Sequence, residues 1–152
     1  GQNIQPVLEK IIQDVPPPEA DAEGPLRALI FDSHYNPYKG VVAYLRVFDG
    51  RIREGDRLLL MASGREVEPF EVGVFSPEMK PVRSLSPGAV GYIATGLKSV
   101  HQCRVGDTVT YAHRPAEGPL PGYKQAKPMV FAGFFPVESE SYGSLRDALE
   151  KL

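Results

Sequence analysis

The nine residues Gly50-Arg51-Ile52-Arg53-Glu54-Gly55-Asp56-Arg57-Leu58 join two runs of strand-forming residues, Val41–Phe48 and Leu58–Met61. Glycine tolerates positive φ, so Gly55-Asp56 reads as the corner that starts the second strand. A second Gly-Asp corner, Val105-Gly106-Asp107-Thr108-Val109, follows 51 residues later. Two such corners in a β-patterned middle predict a small closed barrel. The same stretch decides against a phosphate loop. Gly50 and Gly55 have the G-x-x-x-x-G spacing, but Asp56-Arg57 stands where Lys followed by Ser or Thr belongs. A carboxylate there repels a phosphate.

Working outward, seven strands are expected. They are Leu26–Phe31, Val41–Phe48, Leu58–Met61, Val67–Phe75, Val82–Leu85, Ala89–Ala94 and Thr108–Tyr111. Val41–Phe48 is apolar on both faces, as in a barrel strand whose outside is also covered. Ser33–Gly40 and the proline-bounded Ser76–Pro81 stretch read as polar loops, and Ser86-Pro87-Gly88 as a corner. Spacing of roughly 8–12 residues between strands fits a barrel or sandwich.

The flanks read differently. Gln5–Gln13 is a short amphipathic helix with Val7, Leu8, Ile11 and Ile12 on one stripe, ended by Pro16-Pro17-Pro18. Glu19–Pro25 has nothing to bury and reads as a linker. After Arg114 the chain turns Pro- and Gly-rich. Pro128–Val137 then reads as an apolar strand, and Ser141–Leu152 as a helix capped by Ser139 or Ser141. A lone strand and helix cannot cover their own apolar faces, nor can the leading helix. Both ends are therefore expected to belong to neighbouring domains of a longer protein.

Composition excludes some classes. The 152 residues hold 15 Gly, 15 Pro and a single cysteine, Cys103, so no internal disulfide forms and a reducing compartment is expected. No apolar run approaches a membrane span, and no basic-then-apolar leader opens the chain. The formal net charge of −2 hides an asymmetry. Residues 26–127 carry 14 Lys and Arg against 10 Asp and Glu, while the flanks are acidic. A mildly basic middle favours an anionic partner only weakly.

Enzyme signatures are scarce. Gly91–Ser99 is another near-miss of the phosphate loop, with Leu97 intruding. His101 and Cys103 are two ligands where a structural zinc needs four. Asp32-Ser33-His34 holds triad residue types, yet neighbours in sequence cannot take up triad geometry among themselves. The cations are the better signal. Arg46, Arg51, Arg53, Arg57 and Arg65 lie on neighbouring strands and turns, and Lys80 and Arg83 flank a loop. Arginine's planar fork suits phosphate oxygens and stacks on bases. A solvated surface with Glu54, Asp56, Glu66 and Glu68 interleaved is the plainer account of any one of them.

At this point the residues resemble a family. Pro25–Ser33, Tyr38-Lys39-Gly40-Val41-Val42 and Gly50-x-Ile52-x-x-Gly55-Asp56 are similar to the LepA (elongation factor 4) family of translational GTPases. Glu71–Phe75, Gly88–Tyr92, Arg104–Thr108, Pro119–Tyr123, Lys127–Gly133 and Leu145–Leu152 continue the match. The match is dense enough to separate this family from elongation factor G and BipA. The resemblance implies a layout. Residues 1–18 are the C-terminal helix of a missing GTPase domain, 19–25 a linker, and 26–114 the translation-factor domain II β-barrel. Residues 115–126 are a second linker, and 127–152 the truncated start of a ferredoxin-like domain III. The fold class expected is thus mainly β, with a leading helix and a β-α fragment at the end.

The resemblance also implies a function. The parent hydrolyses GTP with Mg²⁺ in its GTPase domain, whose motifs match nothing here. This chain is then a module without catalytic, cofactor or metal residues. Its implied partners are the small-subunit rRNA and its own GTPase domain. Its implied place is the cytoplasm, extending to peripheral contact with the inner membrane. Mapped by position, Lys80, Arg83, Arg51, Arg53 and Arg65 face rRNA, and Tyr35, Tyr38 and Lys39 face the GTPase domain. The readings left beside it are a generic RNA-binding barrel of another translation factor and a small stand-alone enzyme.

Overall fold

A computed structural model of the chain describes residues 3–121, 129–138 and 141–150. The strands are β1 (Arg27–Asn36), β2 (Gly40–Asp49), β3 (Ile52–Arg53), β4 (Leu58–Leu60), β5 (Arg65–Val67), β6 (Glu71–Ser76), β7 (Glu78–Pro81), β8 (Ser84–Leu85), β9 (Val90–Ala94) and β10 (Thr108–Tyr111). Eight of them form one antiparallel sheet in the order β5-β4-β10-β1-β2-β9-β6-β7, and β3 pairs with β8 in a separate ribbon. Val41, Ala43, Leu45 and Val47 of β2 are fully buried, as alternation demands. They join Leu26 and Ile30 in a single cluster with Leu58 and Leu60 from one side of the sheet and Val72 and Ile93 from the other. The sheet must therefore curl around that cluster, giving a barrel-like mostly β fold. Ile52 and Leu85 of the β3–β8 ribbon plug the same core.

The corners form as their glycines require. Gly55 (φ 78°) and Gly106 (φ 87°) are each the third residue of a turn closed by the next aspartate: Asp56 N–H donates to Arg53 O, and Asp107 N–H to Arg104 O. Positive φ at that position is the type II pattern. Gly50 has a second reason. A Cβ there would lie 2.7 Å from the Leu26 Cα, so only glycine lets the two segments touch.

Four expectations are revised. The Ser33–Gly40 loop is mostly strand: β1 runs on to Asn36 beside β2, with a register shift between Ile30 and Asp32 that leaves Phe31 as a bulge. Only the tip turns, and there the Asn36 side chain accepts the Tyr38 and Lys39 N–H groups at 2.9 and 3.0 Å. Val67–Phe75 is two strands, because Pro69 between them has no N–H for a ladder. Ser76–Pro81 is no loop but folds back as β7, with Phe75 opposite Met79, and the expected strand Val82–Leu85 shortens to β8. Met129–Val137 forms no strand: the part described, residues 129–138, has no ladder partner among the described residues, and Met129, Val130 and Phe131 are exposed. Pro128 lies outside the described residues.

The helices match the expected periodicity. α1 (Ile4–Asp14) keeps Val7, Leu8, Ile11 and Ile12 more than half exposed. α2 (Tyr142–Glu150) follows a turn in which Ser141 N–H donates to Glu138 O at 3.0 Å. The expected cap Ser139 and the end Leu152 lie outside the described residues.

The described parts of both linkers are stitched to the barrel. Asp21 N–H donates to the Asp49 carboxylate at 3.0 Å, and Gly50 N–H to Asp21 O at 2.7 Å. On the other side, Ala116 and Leu120 N–H donate to the hydroxyls of Thr110 and Thr108, at 2.9 and 2.8 Å. The sequence reading found nothing for the first of these stretches to bury. What holds them is hydrogen bonding to the barrel wall, through the Asp49, Thr108 and Thr110 side chains and the Gly50 backbone.

Candidate nucleic-acid interface

The β3–β8 ribbon gathers cations that lie far apart in sequence. Its register sets Arg53 opposite Ser84, next to Arg83, and Ile52 opposite Leu85. With Ile52 and Leu85 turned into the core, alternation turns Arg53 outward, and Arg51 lies two residues before it. Arg53 and Arg83 are exposed and Arg51 is half-buried. Lys80 is exposed on β7, opposite Val74. Among the described residues the ion pairs are Lys10–Asp14, Arg27–Asp49, Lys39–Glu71 and Arg57–Glu66, so Lys80, Arg83, Arg51, Arg53 and Arg65 carry none. Arg65 stands apart from the ribbon on the edge strand β5, opposite Leu60.

The other three candidates sit at or beside the β1–β2 tip and differ among themselves. Tyr38 is 94% exposed, while Tyr35 is half-buried and packs on the core. Lys39 is tied down: its ammonium lies 2.6 Å from Glu71 Oε1 and over the Tyr92 ring. The Tyr92 hydroxyl donates to the same oxygen at 2.6 Å. Burial disfavours the Glu71 charge, but the bonds from Lys39 and Tyr92 and the Lys39 charge outweigh it and hold the carboxyl below its ordinary range. Burial and Glu71 together push the Tyr92 phenol well up, so it remains a donor.

The enzymatic alternatives do not assemble. Ser33 Oγ donates to the Cys103 carbonyl at 3.1 Å. His34 stacks on Tyr44 with ring centroids 5.2 Å apart. Cys103 is fully buried, and burial with the nearby Asp107 charge pushes its thiol up to about 12, far from a reactive thiolate. Among the described residues no three His, Cys, Asp or Glu side chains gather as a metal site.

Sequence reasoning missed three arrangements. One is the carboxylate Asp49, which holds Arg27 and the incoming linker together; backbone bonding from Asp21 leads the causes that keep its pKa low. Another is Arg114, beside Tyr111 and near Arg51 in space. The third is the Thr108 and Thr110 pair. A threonine at alternate positions of an apolar strand was the available signal for the last, and none existed for the others.

The curled antiparallel sheet fits a known class of barrel domain. Residues 40–110 match the family model for elongation factor Tu domain 2. Beyond that domain, the whole chain is similar to elongation factor 4. It is 55% identical to that of Desulforudis audaxviator, 56% to that of Thermosynechococcus vestitus and 53% to that of Clostridioides difficile, each over all 152 residues. The chain spans a quarter of the length of these curated relatives. Over all 152 residues the chain is therefore similar to one segment of elongation factor 4.

Proposed function

We propose that this chain is the non-catalytic barrel module of a ribosome-dependent translational GTPase of the elongation factor 4 kind. The observation that carries the reading is similarity over the full 152 residues to proteins of that name. In this reading the parent hydrolyses GTP with Mg²⁺ in a GTPase domain outside the chain, and acts in tRNA back-translocation, fidelity or subunit assembly. Residues 1–18 are that domain's last helix, 26–114 the barrel, and 127–152 the start of the next domain. The stretches 19–25 and 115–126 connect them.

Lys80, Arg83, Arg51, Arg53 and Arg65 contact small-subunit rRNA. Support comes from their lacking ion pairs among the described residues, because an unpaired cation is available to neutralise phosphate. Tyr35, Tyr38 and Lys39 face the GTPase domain, Tyr38 foremost because nothing covers it. The proposal locates the protein in the cytoplasm with the ribosome. Peripheral contact of the parent with the cytoplasmic face of the inner membrane belongs to the same reading; among the described residues no helix is long and apolar enough to cross a bilayer.

The test is Lys80→Glu with Arg83→Glu in the full-length parent. Ribosome affinity is expected to fall at least tenfold at low salt and to depend less steeply on salt. Unchanged affinity and slope would remove the rRNA role.

A further inference from the structure

Between the barrel and the incoming linker lies an open cleft of about 230 Å³. It is lined by Glu23 and Gly24 of the linker and by Arg51, Arg53, Tyr111 and Arg114 of the barrel. We infer that this cleft is a phosphate oxyanion site in which Arg51 and Arg114 grip the anion, and that its occupant on the ribosome is a backbone phosphodiester of RNA. The identity of the occupant rests on the function proposed above; the oxyanion chemistry does not.

The first argument is an orphan donor. Arg51 Nε is buried and has no hydrogen-bond partner among the described residues. A buried donor on a charged group is costly to leave unpaired, so it marks a place where an acceptor belongs. The second is charge. Three guanidiniums face two carboxylates, Glu23 and Asp56, and none of the three is ion-paired among the described residues. One of the carboxylates is already engaged, since Asp56 Oδ2 accepts the Arg53 N–H at 2.8 Å. The third is preorganisation. The Tyr111 hydroxyl donates to the Arg51 carbonyl at 2.5 Å, and the turn closed by Asp56 fixes Arg53. The backbone carrying two of the forks is thus set before a ligand arrives, and planar forks suit tetrahedral oxyanions. The volume holds one phosphate group with several waters, each taking roughly 30 Å³ in the liquid.

The experiment uses the 152-residue chain labelled with ¹⁵N. Inorganic phosphate and pentauridylate are titrated separately while the Nε–Hε resonances of Arg51, Arg53 and Arg114 are followed. Both probes are expected to move the Arg51 and Arg114 resonances. Arg114→Gln, a change at an exposed residue, is expected to weaken pentauridylate several-fold and lower its log–log salt slope by about 0.7, the value for one phosphate on a single strand. If neither probe moves these resonances, the site does not exist. If phosphate moves them and pentauridylate does not, the oxyanion site stands and RNA is overturned as its occupant. The failures are separable on the ribosome. If Lys80→Glu with Arg83→Glu weakens the parent's binding while Arg114→Gln leaves it unchanged, the cleft falls and the proposed function does not.

Discussion

Single residues decide more here than their type suggests. Gly73 lies under the Tyr92 ring, and a Cβ on it would overlap that ring. The ring cannot step aside, because Tyr92 is fully buried and its hydroxyl is held by Glu71. Gly73→Ala is therefore expected to destabilise the chain by about 2 kcal/mol, the range for overpacking a filled interior, read as a lower urea midpoint at unchanged m-value. Glu71 gives a pH prediction. Its folded pKa is depressed, so the stability it contributes is present above its unfolded pKa and lost as pH falls through the folded one. The melting temperature should drop below about pH 4, and Glu71→Gln should flatten that limb while lowering stability at pH 7. An acid limb as steep in the variant as in the native chain would show that Glu71 is not its source. Asp107 works in the opposite sense: burial raises its pKa, so its ionisation costs stability as pH rises through that value. It is tolerated because Asp107 Oδ1 accepts the Ala62 N–H at 2.8 Å and ties the second Gly-Asp corner to the segment after β4.

At the level of elements, pairing overrode local composition. Asp32–Asn36 is polar and reads as loop, yet it forms strand because β2 offers a ladder along its whole length. Met129–Val137 is the reverse case, strongly apolar but without a partner among the described residues. The linkers depend on single side chains. Asp49 binds Arg27 at 2.7 Å and accepts the Asp21 N–H, so Asp49→Ala is expected to free residues 21–24 from the barrel. Amide exchange at Asp21 and Gly50 should speed up at least tenfold, with a loss of about 1 kcal/mol in global stability. Protection at Gly50 equal to that of the native chain would show that the linker is held by something else.

On the scale of the whole molecule, the expectation is of a scaffold that presents charge and carries out no chemistry of its own. GTP with Mg²⁺ is expected to leave the melting temperature of the 152-residue chain unchanged, with no phosphate release; a shift of several degrees or measurable turnover would overturn the reading. How much of this was legible beforehand follows from the range of the forces involved. The alternation Val41, Ala43, Leu45, Val47 and the two Gly-Asp corners specified a β fold with turns in the right places, because side-chain direction and backbone φ are set within a few residues. The motifs that carry the family likeness are equally local and needed no coordinates. Only the tertiary structure brought Arg53 beside Arg83 and Arg51 beside Arg114, since strand register joins residues tens of positions apart. It alone consumed the Lys39 charge on Glu71 and fastened the linkers to Asp49, Thr108 and Thr110. A hydrogen bond between distant segments leaves no periodic trace in the chain, whereas burial on one face of a strand does.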